Sequence, residues 1–371
     1  WTNIMATKRF RIEKDSLGEV KVPKGALWGA QTQRAVNNFP ISGIKMDFPF
    51  TKSFVSSLGI IKDAAAKTNL RLKLLPAKKA KAISKAAKEV WQEKHHKEFP
   101  IDVFQTGSGT SSNMNANEVI ANLASKYAKT KISANDDVNM SQSSNDVIPT
   151  AIKVSASMDL TKKLYPALDK LINEIEKKAK SVEGLVKTGR THLMDAMPIA
   201  LSDELRAWTS QLNSSRKMLG VIEQRFLELP QGGTAVGSGI NAHKQFAKYF
   251  AQEMTKLSGN KCKCVPSENF FHELSAQDCS VQLSGELKNL AVILMKISND
   301  LRWMNSGPLA GLSEIELQAL QPGSSIMPGK VNPVIPEAVT MASADVIGND
   351  VTITVAAQAG NFQLNVMLPV I

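Results

Sequence analysis

One run of apolar residues constrains the fold more than any other feature of the sequence. Seven of them, from Leu283 to Met304, recur at alternating steps of four and three residues. That spacing places them on one stripe of an α-helix about 33 Å long, at about 1.5 Å per residue. Such a stripe must be covered by other long helices, so the sequence predicts a helical bundle. The seven residues are Leu283, Leu287, Leu290, Leu294, Ile297, Leu301 and Met304.

Two further segments carry the same kind of pattern. Residues 202–229 have apolar positions seven apart, and a third helix is predicted from Leu160 to Ile175. Three helices cannot cover this much apolar face for one another, which favours homo-oligomerisation through the bundle.

The rest of the chain is predicted from changes in composition. We predict a leader or disordered segment at 1–9, an N-terminal domain at 10–141 and the helical bundle at 142–371. The N-terminal domain has one strand-like stretch around Val20 to Val22 and helices from Thr51 onward. Residues 306–336 are rich in Gly, Pro and Ser and are predicted to form a long loop.

Composition argues against several classes of protein. The sequence has no stretch of about 20 apolar residues, so no membrane span is expected. The net charge of +11 lies largely on lysines at helical spacing with few aromatic residues, which is typical of solvated helix faces rather than of nucleic-acid binding. Three cysteines fit a reducing compartment, and Cys262 and Cys264 with His272 make only a weak zinc motif.

Three segments break the helical pattern with small polar residues, namely 106–113 (TGSGTSSN), 141–146 (SQSSND) and 323–333 (GSSIMPGKVNP). Their hydroxyls, amides and glycine backbones suit a small, oxygen-rich anion, since neutral donors can surround a carboxylate. Each alone is more typical of loops and helix caps. Together with 189–193 (GRTHL) they favour a site, in which Lys330 is the one cation of the three segments.

Acid–base chemistry on an organic acid is the function class that remains. The sequence has no phosphate-binding glycine loop and no HExxH or paired CxxC motif. His192 is the best titratable candidate, and Glu337 could pair with it and raise its basicity. Asp146 and Glu118 are rival general bases, although their helical contexts also suit a capping or structural role.

At these residues the sequence resembles a known family. Segment 323–333 is similar to the signature loop of the fumarase, aspartase and argininosuccinate lyase superfamily. Thr106 and Ser108 stand where aspartases typically carry glycine and alanine, so the resemblance is to class II fumarases. The other matching segments are 28–34, 106–110, 189–193 and 232–237.

The resemblance implies a mainly helical, L-aspartase/fumarase-like fold in which central bundles form the twenty-helix core of a homotetramer. It implies reversible hydration of fumarate to (S)-malate in the tricarboxylic acid cycle, with active sites shared between subunits and without cofactor, metal, nucleic acid or membrane. The cytoplasm is expected, and the mitochondrial matrix also fits. The alternatives are an aspartate ammonia-lyase and a catalytically inactive scaffold.

The resemblance also implies residue roles. Ser324 would be the base that removes a proton next to a carboxylate of malate, and His192, backed by Glu337, would act on the hydroxyl through a water. Lys330, Asn332 and amides near Ser325 would stabilise the carbanion. The implied substrate-binding residues are Ser108, Gly109, Thr110, Ser143, Ser144, Asn145, Thr191, Ser325, Lys330, Val331 and Asn332.

The sequence departs from the family at several positions. The family's second anion site would lie at Ser133, Asn135 and Asp136, and Ser133-Ala134 in place of the common His-Pro argues against it. Met140 stands where a lysine is usual. The family's small C-terminal domain would lie beyond Ile371, so the sequence is expected to stop within an element.

Overall fold

Long helices dominate the computed structural model, as the sequence predicts. It describes residues 10–48, 51–259 and 261–371, so the predicted leader at 1–9 lies outside the described residues. The helices are α1 (Ala30–Asn38), α2 (Lys52–Arg71), α3 (Ala77–Trp91), α4 (Thr110–Ala128), α5 (Ser144–Asp159), α6 (Tyr165–Ser181), α7 (Leu201–Arg225), α8 (Phe246–Leu257), α9 (Phe270–Ser275), α10 (Asp278–Met304) and α11 (Val334–Ala357).

Short strands pair two by two. Strands β1 and β2, β3 and β4, and β7 and β8 are antiparallel, whereas β5 and β6 are parallel. The strands are β1 (Phe10–Asp15), β2 (Gly18–Pro23), β3 (Val186–Thr191), β4 (Met194–Ala200), β5 (Glu228–Leu229), β6 (Val265–Pro266), β7 (Gly360–Asn361) and β8 (Leu364–Asn365).

The chain divides into two compact units. The first comprises the chain up to Leu160 with Gln224–Ser280 and Val355–Ile371, and the second comprises Thr161–Glu223 and Val281–Thr354. The domain division at residue 141 stays a prediction, because these units group residues by contact and not by sequence order.

Helix α2 is the centre of the first unit and packs against α3, α5 and α8. Its approach to α3 is close because residue 59 is glycine: a Cβ there would lie 2.8 Å from the backbone nitrogen of Trp91 and 2.9 Å from the carbonyl oxygen of Ala87. Leu58 and Ile61 beside it are fully buried, which stabilises the fold by roughly 1.5–3 kcal/mol each. Any larger residue at position 59 would push the two helices apart.

The second unit contains the predicted apolar stripe. Leu283, Leu290, Ile297 and Met304 of α10 are buried at intervals of seven residues, and the three leucines between them are half-buried. Polar contacts tie the neighbouring helices together. Ser215 of α7 donates to Glu286 of α10 at 2.6 Å, and Lys288 of α10 donates to Asp350 of α11 at 2.6 Å.

Most predicted elements are confirmed at their expected places. Strand β2 covers the strand-like stretch at Val20 to Val22, and α2 begins next to Thr51. The predicted loop 306–336 ends three residues early, because α11 begins at Val334. The hairpin of β3 and β4 was not predicted, since its two-residue turn has neither glycine nor asparagine.

Candidate functional site

The polar segment 106–113 leads into the N-terminus of α4. Gly109 has φ +72°, and a Cβ there would lie 2.8 Å from Cγ1 of Ile148, so only glycine fits without strain. The hydroxyls of Ser108 and Thr110 are 2.7 Å apart. Gly107 is covered by the chain's last described segment, because Leu368 donates its N–H to the Gly107 carbonyl and a Cβ at Gly107 would collide with the Val366 carbonyl.

The second segment caps α5. The Ser143 hydroxyl accepts the N–H of Asn145, and the Asp146 carboxylate accepts the N–H of Ser143, which completes a capping box. The other oxygen of Asp146 accepts the N–H groups of Gly232 at 3.0 Å and Thr234 at 2.9 Å. Asp146 therefore has the capping role that the sequence left open for it.

These contacts hold a small polar pocket of about 370 Å³ in the first unit. Asn145 closes one side by donating to the Ala235 carbonyl at 2.8 Å. The Ser144 hydroxyl accepts a hydrogen bond from Asn113 of α4 at 2.9 Å. The lining residues are Asn139, Ser141, Gln142, Ser143, Ser144, Thr234, Ala235, Ile240 and Asn241. None of them carries a charge, so the pocket offers neutral donors, which suit a carboxylate.

Two ionisable groups lie buried behind this pocket. Burial raises the pKa of Asp146 to about 6, although three backbone N–H groups and the charge of Lys62 oppose the rise. Burial lowers the pKa of Lys62 to about 7, and the charge of Asp146 opposes that fall. Both shifts place the pKa of a buried group near neutral pH. Shifted pKa values of this kind are common at binding and catalytic sites.

His192 stands at the tip of the β3–β4 hairpin in the second unit. The turn consists of His192 and Leu193, with φ of 54° and 60°, a conformation that non-glycine residues rarely adopt. The His192 side chain is exposed and forms no hydrogen bond or ion pair with the described residues. The base of the hairpin is fixed, because Arg190 and Lys187 both bind the carboxylate of Glu314.

The signature loop folds back on itself. Gly323 donates its N–H to the Lys330 carbonyl at 2.7 Å, and the Asn332 side chain donates to the Gly323 carbonyl at 3.0 Å. The Ser324 hydroxyl oxygen accepts the backbone N–H groups of Ile326 at 3.3 Å and Met327 at 3.2 Å. Two amide donors on one hydroxyl oxygen stabilise negative charge there, which is the setting a serine base requires.

Lys330, Val331, Asn332 and Glu337 line a second cavity of about 410 Å³ within the second unit. The cavity brings Lys330 of the loop together with Arg302 and with the side-chain amides of Asn299 and Asn305. The remaining lining residues are Asn299, Arg302, Trp303, Asn305, Ser306, Gly307 and Pro333. Arg302 and Asn299 were not singled out in the sequence, because they lie on the polar face of a helix whose apolar face dominates the pattern.

The remaining predicted site residues are placed as follows. Ser325 and Thr191 are exposed, and Glu337 is half-buried without a side-chain hydrogen bond to any described residue. The predicted pair of His192 with Glu337 is therefore not formed in the single chain and stays a prediction. Gly109, Ser108 and Thr110 do not line either cavity.

The rival base Glu118 is engaged in structure. Its carboxylate accepts backbone N–H groups of Gly29, Gln31 and Thr32 at the start of α1, together with the Thr32 hydroxyl. This arrangement supports the structural alternative that the sequence left open for Glu118.

The residues of the family's second anion site bind one another. The Ser133 hydroxyl donates to the Asp136 carboxylate at 2.8 Å and accepts the Asp136 N–H at 3.1 Å. Asn135 and Asp136 are exposed. The Ser133 hydroxyl already donates its proton to the Asp136 carboxylate, so it is not available to donate to a bound anion. This agrees with the absence of the family's His-Pro pair at 133–134.

Residues 10–48, 51–259 and 261–371 contain no group of three or more His, Cys, Asp or Glu side chains arranged to hold a metal ion. Within the same ranges, every helix is too short or too polar to cross a membrane.

Comparison with known proteins identifies the family. A family model described as "Lyase" matches residues 18–348. The chain is 55% identical over 361 residues to "Fumarate hydratase class II 2" of Pseudomonas aeruginosa, covering 97% of this chain and 78% of that protein. It is 48% identical to "Fumarate hydratase class II" of Bacillus subtilis, covering 98% of this chain and 78% of that protein.

Solved structures agree. The crystal structure of a class II fumarase from Schistosoma mansoni superposes with a TM-score of 0.94 at 39% identity, covering 98% of this chain and 79% of that one. A fumarate lyase:delta crystallin structure from Brucella melitensis gives a TM-score of 0.89 at 42% identity, covering 97% of this chain and 79% of that one. The chain therefore belongs to the lyase family, and within it to the class II fumarate hydratases.

Proposed function

We propose that this chain catalyses the reversible addition of water to fumarate, giving (S)-malate. The observation that carries the proposal is the setting of Ser324, whose oxygen accepts two backbone N–H groups of its own loop. Serine is a poor base near neutral pH, and these donors stabilise the alkoxide that would remove the proton. The names of the relatives at 55% and 48% identity support the same reaction.

The carbanion left by proton removal needs stabilisation, because a proton next to a carboxylate is only weakly acidic. Its charge spreads onto that carboxylate as a dianionic aci form, and preorganised donors and a cation stabilise it. Lys330 and Asn332 line one cavity and supply a cation and an amide, and the backbone near Ser325 supplies further N–H groups. Val331 contributes its backbone between them.

His192 would act on the hydroxyl of malate through a water, and Glu337 would hold the imidazole in its basic form. The exposed hairpin tip leaves the His192 ring accessible to another subunit. Ser143, Ser144 and Asn145 would bind a substrate carboxylate through neutral donors. Ser108, Gly109, Thr110 and Thr191 would bind the remaining carboxylate oxygens and fix the geometry of addition.

Assembly as a homotetramer with shared active sites is part of the proposal. Helix α11 is rich in apolar residues that are not confined to one face, and it exposes Ile335, Met341, Val351 and Val355 in the single chain. A helix of this kind is normally buried, so other copies of the chain would cover it. The proposal includes a role in the tricarboxylic acid cycle and a cytoplasmic location, with the mitochondrial matrix as the alternative.

The test is to follow the ultraviolet absorbance of fumarate with malate or with aspartate as the substrate. We expect turnover with malate and none with aspartate. Ser324→Ala should lower kcat by at least about a hundredfold while a competitive dicarboxylate still binds, since base catalysis contributes about 10²–10⁴-fold. Ser181→Ala is the matched control, because among the described residues that hydroxyl bonds only to the Lys178 carbonyl of its own helix.

Three results would contradict the proposal. A signal with aspartate alone would indicate an ammonia-lyase. No signal with either substrate from an intact oligomer would indicate an inactive scaffold. Near-normal turnover by Ser324→Ala would show that another group is the base, and His192→Asn measured beside it would show whether the histidine contributes.

A further inference from the structure

Lys62 is a fully buried lysine that forms no ion pair with the described residues. Its ammonium donates instead to two neutral side chains, the amide oxygens of Asn139 and Gln142, each at 2.9 Å. Desolvating an ammonium costs several kcal/mol, and neutral partners offset that cost only in part. A buried cation with this cost is expected to have a role beyond packing. Both of its partners, Asn139 and Gln142, line the polar pocket, so that role is expected to concern the pocket.

Helix α2 contacts the floor of that pocket through two side chains, Lys62 and Asn69. Asn69 lies two turns after Lys62 on the same face of the helix, donates to the Met140 carbonyl at 3.0 Å and accepts from the Ser141 hydroxyl at 3.0 Å. Ser141 has φ +62°, a left-handed conformation that a non-glycine residue holds only when its surroundings fix it. Lys62 and Asn69 together therefore fix the turn that forms the pocket floor.

A chain of hydrogen bonds continues from Lys62 to a proposed substrate-binding hydroxyl. The oxygen of Asn139 that accepts from Lys62 also accepts from Asn113 at 3.3 Å, and Asn113 donates to the Ser144 hydroxyl oxygen at 2.9 Å. Because Ser144 accepts from the protein side, its own O–H proton can point into the pocket. The Ser144 hydroxyl is thereby set as a donor, which is what a carboxylate requires.

We propose that Lys62 is a positioning residue for the binding of a substrate carboxylate in the polar pocket, where it fixes the floor and supplies positive charge from behind. The proposal rests on the proposed function. It explains how a pocket lined by nine uncharged residues could attract an anion. A charge behind neutral donors acts through a medium of low polarity and is screened less than a surface charge.

The charged groups around Lys62 are otherwise occupied. Asp146 of α5 acts on it through charge but binds the backbone of 143, 232 and 234. On α2 itself, Asp63 binds Lys67 and Ser84. Charged side chains elsewhere on α2 and on the helices packed against it are engaged as well: Lys79 of α3 with Asp137, Glu118 of α4 with the start of α1, and Arg71 of α2 with Gln252 and Tyr249 of α8.

This arrangement has a consequence that can be measured. Burial places the pKa of Lys62 at about 7, so the free enzyme loses this positive charge as the pH rises above 7. A bound dianion favours the charged form and raises the pKa again. Binding above neutral pH must therefore take up as much as about one proton per site, and affinity must weaken by up to tenfold per pH unit.

The experiment uses the intact enzyme and succinate, a dicarboxylate that cannot be hydrated. Titration calorimetry near pH 8 in two buffers of different ionisation enthalpy counts the protons taken up. The wild type, His192→Asn, Lys62→Gln and the control Lys67→Gln are compared. Lys67 lies on the same helix, pairs with Asp63 and is 37% exposed, so its replacement should leave the proton uptake and the succinate affinity unchanged.

We expect proton uptake in the wild type, in His192→Asn and in Lys67→Gln, and none in Lys62→Gln. Lys62→Gln should bind succinate about ten- to a hundredfold more weakly near pH 6.5, and its KM for malate should rise more than its kcat falls. Wild-type succinate affinity in Lys62→Gln, or uptake that disappears in His192→Asn, would overturn the proposal. If Lys62→Gln does not fold, the proton uptake of the wild type and of His192→Asn on succinate binding decides: uptake in both supports the proposal, and its absence in either overturns it.

Turnover of fumarate by the wild type is measured first. Absence of turnover would contradict the proposed function. Turnover without proton uptake on succinate binding would contradict only the role of Lys62.

Discussion

Glu118 holds the start of helix α1, and glutamine at this position would test whether its role is structural. One carboxylate oxygen accepts the N–H groups of Gly29 at 2.8 Å and Thr32 at 3.1 Å, and the Thr32 hydroxyl at 2.6 Å. The other accepts the N–H of Gln31 at 2.9 Å. Glutamine keeps the shape and one acceptor oxygen but replaces the other by an NH₂ group that cannot accept.

The size of the effect follows from these contacts. Glutamine will turn its oxygen toward the side with three donors, which leaves the Gln31 N–H facing another donor. An unsatisfied buried N–H costs about 1–3 kcal/mol, and losing a negative charge at a helix N-terminus costs about 0.3–1 kcal/mol. We therefore expect Glu118→Gln to weaken the local structure by about 1–4 kcal/mol.

Hydrogen exchange followed by mass spectrometry measures this loss locally, without requiring that the whole protein unfold in two states. Protection of the α1 peptide should fall by a factor of about 5 to about 700, at a factor of ten per about 1.4 kcal/mol. The α7 peptide and kcat should stay unchanged. Glu174→Gln, on an exposed stretch of α6, is the control. A tenfold or greater loss of kcat with α1 protection intact would show that Glu118 takes part in the chemistry.

Two further predictions concern groups that support the site. Burial raises the pKa of Asp146 from 3.8 to about 6, so its stabilising effect is complete below about pH 4 and is lost as the pH rises through 6. The stability advantage of the wild type over Asp146→Asn, from urea unfolding, should thus shrink by about 2 kcal/mol between about pH 4 and about pH 6.5, and a constant advantage would contradict the raised pKa. Glu314→Gln should loosen the β3–β4 hairpin, because Arg190 and Lys187 both bind that carboxylate. We expect faster hydrogen exchange over 186–200 and a lower kcat through His192, and unchanged exchange would show that the two ion pairs do not hold the hairpin.

The sequence predicts features that depend on local spacing. The stripe from Leu283 to Met304 appears as α10, with every seventh residue buried, because a repeat of seven residues forces one face of a helix inward. The polar segments at 141–146 and 323–333 could likewise be recognised, because dense small polar residues rarely occur within long helices.

What the sequence did not predict depends on contacts between distant residues. Lys62 lies among alanines beside Asp63 and Lys67, so it looks like part of a solvated helix face, and only the packing of α2 against its neighbours shows that it is buried. The hairpin turn at His192 and Leu193 carries no turn residues. The predicted pair of His192 with Glu337 does not form within the single chain and stays a prediction.

The cover that the chain's last described segment places over Gly107 affects biosynthesis. The glycine-rich segment at 106–110 packs against the carbonyl of Val366 and accepts an N–H from Leu368. A ribosome must therefore synthesise nearly the whole of this sequence before that early segment can reach its final conformation. Until then its backbone polar groups stay open to water or to chaperones, so pulse-labelling of nascent chains should find this segment among the last to become protected.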